Sequence, residues 1–504
     1  MSIKFSYIVL IFSVLFGGII YILHLRGLVA AANEIYLRFA LLGIFIAGFL
    51  LVSWQKARHH HFSLNDIYKN NTLIIIFLTV LLCSLFIHFR VSYYAIGFFT
   101  CASFLHFIYT KKFYALPKFF YFIFIYALLM FFGTIGTPKG FYFPDKTLSL
   151  YVLPLAFCCF CLPKKTLLKI GEIFFKTGII FLVICILYWW FNFLYLNANF
   201  IEWIIQKQSY FAHPTGWEVQ AKFILSGLIN NNIPLQDVNW YSAFFFVDSW
   251  AYMYHPTPVS IVLLGGLITG FYLYFQKNEF YTVSKFDLIL YAVLCLFVTL
   301  LIQSRIGTVG FFLIAGISVL YYLKLKLKIK YFKIALAVCI LFGGLSFFAF
   351  NNKISNYIND DIRDVYRKIA VSYIQEHFWW GSGFNQQQSA LEWQAEKMKD
   401  KLPEIAFPND NQHITHAHNQ FLGNMVQYGI WGLIVLIAML AAIAYYAVKN
   451  RNYPLFTFLC FIIFFMLVEE NEYIKILIFI TFFTAISRNV KNSPHTLPLS
   501  KKGS

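Results

Sequence analysis

Long apolar runs alternate with short polar connections along the whole chain of 504 residues. An apolar run of about 18 or more residues is long enough to cross a bilayer as a helix. The pattern predicts an all-α polytopic membrane protein with about 14 transmembrane helices, or 12–14 when the short runs are discounted. The spans lie at residues 5–25, 36–54, 72–89, 92–109, 118–135, 147–162, 172–197, 256–275, 286–304, 306–323, 331–350, 430–448, 454–469 and 473–487.

Composition and charge agree with this class. The chain is 60% hydrophobic and 12% charged, whereas soluble domains carry about 25% charged residues. If the N-terminus is cytoplasmic, most of the 40 basic residues fall on the inner side, as the positive-inside rule requires. Both termini are then cytoplasmic, and topology explains the net charge of +18 without nucleic-acid binding.

Two long outer loops interrupt the succession of spans, at about 198–255 and 351–417. Most tryptophans lie in them: Trp203, Trp217, Trp240, Trp250, Trp379, Trp380 and Trp393. These rings indicate either a belt at the membrane interface or a surface on which sugars stack. Residues 362–380 have apolar positions at helical spacing, which predicts an amphipathic helix near the membrane surface.

The spans and loops divide the chain into consecutive regions. We define them as an N-terminal bundle (1–197), a first outer loop (198–255), central helices (256–350), a large outer loop (351–417), C-terminal helices (418–487) and a basic cytoplasmic tail (488–504). The nine cysteines all fall in apolar runs, which indicates buried, inert thiols.

The stretch HITHAHN, residues 413–419, ends the large outer loop. Its histidines could bind a metal, although no HExxH motif accompanies them, or they could be structural. A third interpretation makes His418 a general base. With Thr415 as the N-cap, His418 would lie in the first helical turn, where the helix dipole favours a neutral ring. Gly429 would share its helix face about three turns on, leaving space for a neighbouring element.

Two arginines stand at outer helix ends. Arg305, in LLIQSRIGTVGFF, lies at membrane depth on the outer side, where a charge is costly and the positive-inside rule does not explain it. A guanidinium there suits a phosphate or diphosphate, although a snorkelling side chain is the alternative. Arg90, in IHFRVSYY, occupies a similar position.

These residues resemble the signature of the O-antigen ligase/polymerase superfamily of bacterial integral membrane glycosyltransferases. His418 and Gly429 match its His-x10-Gly motif, and Arg305 matches the arginine of an Arg-x3-Leu motif whose last position is Val309 here. YRKIAVSYIQEHFWWGSGF (366–384) is similar to a family helix that ends in a Gly-x-Gly turn, here Gly381 and Gly383. The resemblance covers about residues 240–450.

The resemblance implies a GT-C-like, inverting, metal-independent glycosyltransferase without a cofactor, in the bacterial inner membrane with its site facing the periplasm. The donor would be a glycan on undecaprenyl diphosphate. His418 would be the base and Arg305 the cation for the leaving group. Supporting contacts would come from Arg90, Arg367, His416 and Asn419.

The acceptor stays open at this point. It would be the lipid A-core of lipopolysaccharide in a ligase, the growing repeat-unit chain in a polymerase, or a protein side chain. Fourteen spans exceed the twelve usual for the ligases, which keeps the polymerases in view. A transporter of lipid-linked glycans is disfavoured, because the sequence shows no repeated halves and its charges lie mainly at span ends.

Overall fold

The computed structural model describes residues 71–86, 89–133, 148–207, 256–276, 283–301, 304–326, 361–383, 386–398, 417–467, 469, 473–487 and 495–496. These residues are predominantly helical. In chain order the helices are α1 (Thr72–Ser84), α2 (Phe89–Thr110), α3 (Phe120–Phe132), α4 (Leu148–Cys158), α5 (Lys164–Lys207), α6 (Pro256–Gln276), α7 (Lys285–Leu301), α8 (Arg305–Lys326), α9 (Asp361–Glu376), α10 (Gln387–Lys397), α11 (Gln420–Lys449), α12 (Tyr453–Met466) and α13 (Tyr473–Ser487). The predicted spans 5–25, 36–54 and 331–350 lie outside the described residues.

Every predicted span within the described residues coincides with a helix, but the helices differ in length. Three stretches are long and apolar enough to cross a membrane: Val259–Gln276, Ile306–Leu323 and Gln420–Lys449. Others are shorter than their predicted spans: α1 has 13 residues, about 20 Å of helix, against about 30 Å of hydrocarbon. The helical, membrane-integral class is therefore supported, while the number of spans and their orientation stay predictions.

Helix α6 is the centre of the bundle. It contacts α5, α7, α8, α12 and α13. Of its residues in Val259–Gln276, 78% are buried, against 33% in the apolar segments of α8 and α11. Its glycines allow this packing. A Cβ at Gly265 would lie 2.4 Å from the Phe479 ring, and one at Gly270 2.2 Å from the Phe175 ring. Small residues at such contacts are typical of membrane helices, which associate by close packing.

Two short strands connect distant parts of the chain. Lys112–Phe113 (β1), after α2, pairs antiparallel with His495–Thr496 (β2) in the C-terminal tail. The tail therefore lies at the same end of the bundle as the α2–α3 connection. The charge pattern predicts that both are cytoplasmic, so the pairing is compatible with that topology.

Helices α9 and α10, with the turn 377–383 between them, form what we call the loop unit. Its apolar residues make a small core of their own against the start of α11, including Ile369, Leu391, Ala417 and Val426. Polar contacts join the two helices, since Gln394 Nε2 donates to Ser372 Oγ at 2.8 Å and Lys397 Nζ to Glu376 Oε2 at 2.6 Å. The Lys397 contact, together with Gln394, lowers the pKa of Glu376. The predicted amphipathic helix is confirmed, although it ends at Glu376 and the remaining residues form the turn.

Candidate active site around His418

The start of α11 is fixed by Asn419. This residue is the N-cap, and its Oδ1 accepts hydrogen bonds from the backbone N–H groups of Phe421 at 3.0 Å and Leu422 at 3.1 Å. Its Nδ2 donates to the carbonyl of Leu467, just past α12, at 3.0 Å. One side chain therefore caps α11 and ties it to the end of α12.

This capping corrects a prediction. The sequence pattern predicted Thr415 as the N-cap and placed His418 in the first turn. Thr415 lies outside the described residues, and α11 begins at Gln420, so His418 precedes the cap. Both threonine and asparagine are good N-caps. The carbonyl of Leu467, which only the fold brings close, accepts a third hydrogen bond from the Asn419 side chain. The prediction that the helix dipole favours a neutral ring assumed a position in the first turn, which His418 does not occupy.

His418 adopts an uncommon backbone conformation, with φ at 49°. A non-glycine residue there is strained, and the surrounding structure must hold it in place. Two features do so, since Asn419 caps the helix on one side and Ala417 is fully buried on the other. Strained residues of this kind cluster at functional sites.

The imidazole of His418 lies between an aromatic ring and a carboxylate. Its ring stacks on Tyr366 of α9, with centroids 5.8 Å apart and planes 12° apart. Its Nδ1 is 3.8 Å from Glu469 Oε2, and the two side chains are 23% and 12% exposed. Nδ1 is the ring nitrogen that faces Glu469. The imidazole therefore has an acidic side chain beside Nδ1 and an aromatic ring against one face.

Glu469 was missed by the sequence interpretation. It follows α12, its backbone N–H donates to Phe465 O at 2.9 Å, and the whole residue, backbone included, is 9% exposed. A carboxylate is almost never so buried without a partner. The signal was present in VEENEY (468–473), where three acidic residues crowd a short connection between apolar helices. Lys475, in the first turn of α13, is a second buried charge that the interpretation passed over.

Gly429 interrupts α11. Its φ of 62° and ψ of −155° are not helical and produce a kink. The prediction that His418 and Gly429 share one helix face is therefore wrong, because one residue precedes the helix and the other breaks it. The expected close approach at Gly429 is present: a Cβ there would lie 2.3 Å from the carbonyl oxygen of Trp379.

The turn 377–383 docks on this kink through backbone hydrogen bonds. Ile430 N–H, which would donate to Val426 in an unbroken helix, donates to Phe378 O at 2.8 Å. The carbonyls of Val426 and Gln427 accept instead from the N–H groups of Ser382 at 2.7 Å and Gly383 at 2.8 Å. These backbone N–H and C=O groups, which the kink leaves without partners in α11, therefore form hydrogen bonds with the loop unit instead.

The glycines of the turn permit this contact. Gly381 and Gly383 have φ values of 66° and 93°, which L side chains rarely adopt. A Cβ on Gly381 would lie 2.6 Å from the backbone carbon of Gln427 and 2.7 Å from the nitrogen of Gly429. Gly381 and Gly429 therefore let two backbones pack against each other, and this fixes α9, with Tyr366, relative to α11.

Arg305 is the first residue of α8. Ser304 precedes it, and its Oγ accepts from Gly307 N–H at 3.0 Å and from Ser260 Oγ of α6 at 2.7 Å. The backbone at Arg305 is thus anchored to the central helix, at the positive end of the α8 dipole.

The other predicted site residues are placed only in part. Arg90 lies in the first turn of α2 and Arg305 begins α8, but the side chains of both lie outside the described part of the structure. His413 and His416 lie outside it with their backbone as well. Arg367 Nη1 contacts Asp364 Oδ1 at 2.9 Å, on the same face of α9. The structure therefore brings together His418, Glu469 and Tyr366, with Asn419 and Gly429 as supports.

The protein thus belongs to the class of helical membrane proteins, and its candidate site is a partly exposed histidine between the capped start of α11 and Tyr366 of the docked loop unit. Within it, residues 290–437 match the family model of the O-antigen ligases. The match includes Arg305, Arg367, the Gly-x-Gly turn, His418 and Gly429, so the resemblance to the O-antigen ligase superfamily is confirmed over this segment. It implies a glycosyltransferase-like enzyme of the ligase or related polymerase kind. No curated protein matches the chain.

Proposed function

We propose that the protein transfers a glycan from undecaprenyl diphosphate to an acceptor hydroxyl at the periplasmic face of the inner membrane. The lipid A-core is the acceptor we favour, which makes the protein an O-antigen ligase. The observation that carries the proposal is the contact of His418 with Tyr366 and Glu469. His418 and Tyr366 lie inside the segment that matches the ligase family, and Glu469 lies beyond its end.

The reaction is a single displacement at the anomeric carbon. The acceptor oxygen forms the new glycosidic bond as the bond between the anomeric carbon and the diphosphate oxygen breaks. Attack from the face opposite the leaving group inverts the configuration. The acceptor proton passes to the imidazole of His418, and the Glu469 carboxylate balances the charge that develops on the ring.

The leaving group is undecaprenyl diphosphate, and its negative charge grows in the transition state. Arg305 stands at the N-terminus of α8, where its charge adds to that of the free backbone N–H groups. Fixed positive groups aimed at a developing anion lower the barrier. Arg90 would add a second cation, and Arg367 a third once Asp364 releases it.

Tyr366 and Asn419 position the base in this mechanism. Tyr366 covers one face of the imidazole, and Asn419 holds the backbone of His418 at the top of α11. The Gly381–Gly429 contact keeps Tyr366 in register with His418. A site that must hold a reacting geometry within a few tenths of an ångström needs supports of this kind.

The test is transfer from purified undecaprenyl-diphosphate-linked oligosaccharide by protein in nanodiscs. His418→Gln keeps a polar side chain of similar size but removes the base, so we expect the turnover rate to fall by about two orders of magnitude or more, since general-base catalysis contributes about 10² to 10⁴. Arg305→Lys keeps the charge and is expected to retain more activity than Arg305→Ala. His377→Gln is the control, because His377 lies in the loop unit but stacks on Tyr373 instead.

Lipid A-core and unextended repeat units, supplied together, identify the acceptor. Glycan found on lipid A-core would support the ligase activity. A lengthened repeat-unit chain would show that the protein is a polymerase instead. Assays with and without chelator test the metal-independent mechanism, since loss of activity on chelation would contradict it. Normal transfer by His418→Gln would remove the histidine from the mechanism.

A further inference from the structure

The depth of the Gly429 kink in the membrane follows from the length of α11. Below the kink the helix runs through 430–449, about 20 residues and so about 30 Å long, which equals the thickness of the hydrocarbon core. Lys449, Asn450 and Arg451 mark the far end of this segment. Gly429 therefore lies at the opposite boundary between hydrocarbon and headgroups.

One face of this segment is apolar and exposed, as expected of a face in contact with lipid. Its large exposed members recur at helical spacing: Trp431, Ile434, Ile437, Tyr445 and Val448, each between 44% and 66% exposed. The helix carries no charged residue from Trp431 to Val448. The face begins directly below the kink, so it reaches the level at which the turn 377–383 is docked.

The turn is held at that level by its backbone. Phe378 O accepts from Ile430 N–H, and the Trp379 carbonyl packs on Gly429. The side chains are nevertheless open to the surroundings, with Phe378 40%, Trp379 61% and Trp380 79% exposed. Three adjacent large aromatic residues are therefore fixed at the membrane boundary and left uncovered by the described residues.

Trp393 of α10 offers a contrast in the same unit. It is 51% exposed, but Lys397 Nζ lies 5.1 Å from its ring centroid and the His377 ring meets it edge-on at 5.9 Å. A cation and an imidazole at its ring indicate a wet environment. The aromatic residues of the loop unit therefore occupy two different surroundings.

We propose that Phe378, Trp379 and Trp380 form a membrane anchor that inserts into the headgroup region of the leaflet next to the active site. Indole rings favour this region because their bodies are apolar and their N–H groups bond to water and lipid headgroups. The anchor ties the loop unit to the bilayer, and through α9 it steadies Tyr366 against His418. The partner is the lipid surface itself, and the proposal does not depend on the reaction catalysed.

Photocrosslinking in nanodiscs of phosphatidylethanolamine and phosphatidylglycerol tests the anchor. Benzoylphenylalanine replaces Trp380 in one variant and Trp393 in the other, and adducts are identified by mass spectrometry of the full-length protein. We expect lipid adducts at position 380 at least five-fold above those at 393. Equal yields at the two positions, or no lipid adduct at 380, would overturn the proposal.

A second measurement separates lipid from sugar. The same Trp380 variant is irradiated with lipid-linked oligosaccharide present, and an adduct to the oligosaccharide in place of phospholipid would show a glycan-stacking surface instead. Fluorescence quenching by brominated lipids provides a check without the photoprobe. Trp379→Phe/Trp380→Phe should lose a larger share of the quenchable signal than Trp393→Phe, and the reverse order would contradict the anchor.

Discussion

The contact between Gly429 and the turn 377–383 gives the most direct test of the structure. Gly429→Ala places a methyl group 2.3 Å from the Trp379 carbonyl oxygen, at a backbone with φ of 62° and ψ of −155°. The neighbour is a backbone atom, so no flexible side chain can move aside. The chain must therefore either stay docked under strain or release the turn.

Both outcomes have an estimable cost. A non-glycine residue in this region of φ and ψ costs about 1–3 kcal/mol, before any clash is counted. Release of the turn loses the three backbone hydrogen bonds made by Ile430, Ser382 and Gly383, each worth about 0.5–1.5 kcal/mol. We therefore expect docking to weaken by about 2 kcal/mol or more, a factor of about 30.

Hydrogen exchange measures this directly, because local opening exposes the amides that the docked turn protects. In Gly429→Ala, peptides that contain Ser382, Gly383 and Ile430 should exchange about 30-fold faster or more. Glycan transfer should fall as well, since Tyr366 is carried by the same unit. Gly97→Ala is the control: apart from the adjacent backbone of its own helix, no atom lies within 4 Å of its added Cβ, and alanine is the better helix former. Unchanged exchange at these amides in Gly429→Ala would refute the reasoning.

Three further predictions concern single side chains near the site. Glu469→Gln should lower kcat while KM stays near that of the wild type, and Glu469→Asp should retain part of the activity that Glu469→Gln loses. An unchanged kcat in Glu469→Gln would exclude the carboxylate from the mechanism. Asn419→Ala removes an N-cap and should destabilise the protein by about 1 kcal/mol, seen as a lower Tm, whereas Asn419→Ser should retain most of it. Arg367→Ala should change Tm little, because its ion pair with Asp364 is substantially exposed. If Arg367 binds the diphosphate, however, Arg367→Ala should raise the KM for the donor. Asp364→Asn frees the guanidinium and should not raise this KM.

Much of the helical framework follows from the sequence because apolar runs record it locally. The predicted bounds of α6 and α13 agree with the structure to within a residue, and α9 was recognised from its apolar spacing. The shorter helices, such as α1, were overestimated because apolar character continues through the turn at Leu85 and Phe86, where helical hydrogen bonding ends.

The candidate site was only partly predictable, because its decisive contacts join distant segments. His418 was identified from its motif, but its partner Glu469 is on another helix end and nothing local connects them. The spacing of His418 and Gly429 was interpreted on a straight helix, whereas the glycine is required by the approach of a second backbone. The choice of Asn419 over Thr415 as N-cap likewise depends on the Leu467 carbonyl, a tertiary neighbour.

The spacing of His418 and Gly429 acquires a physical meaning once the kink is placed at the membrane boundary. The segment 420–428 has about nine residues, so it raises the histidine by at most about 14 Å above the hydrocarbon, while the headgroup layer is about 5–7 Å thick. Arg305 begins the apolar helix α8 and so stands near the boundary itself. On a lipid-linked donor the diphosphate lies at headgroup level and the sugar above it. In the proposed reaction, this geometry places the arginine for the leaving group and the histidine for the acceptor hydroxyl. The length of helix between His418 and Gly429 then sets the height of the proposed base above the lipid.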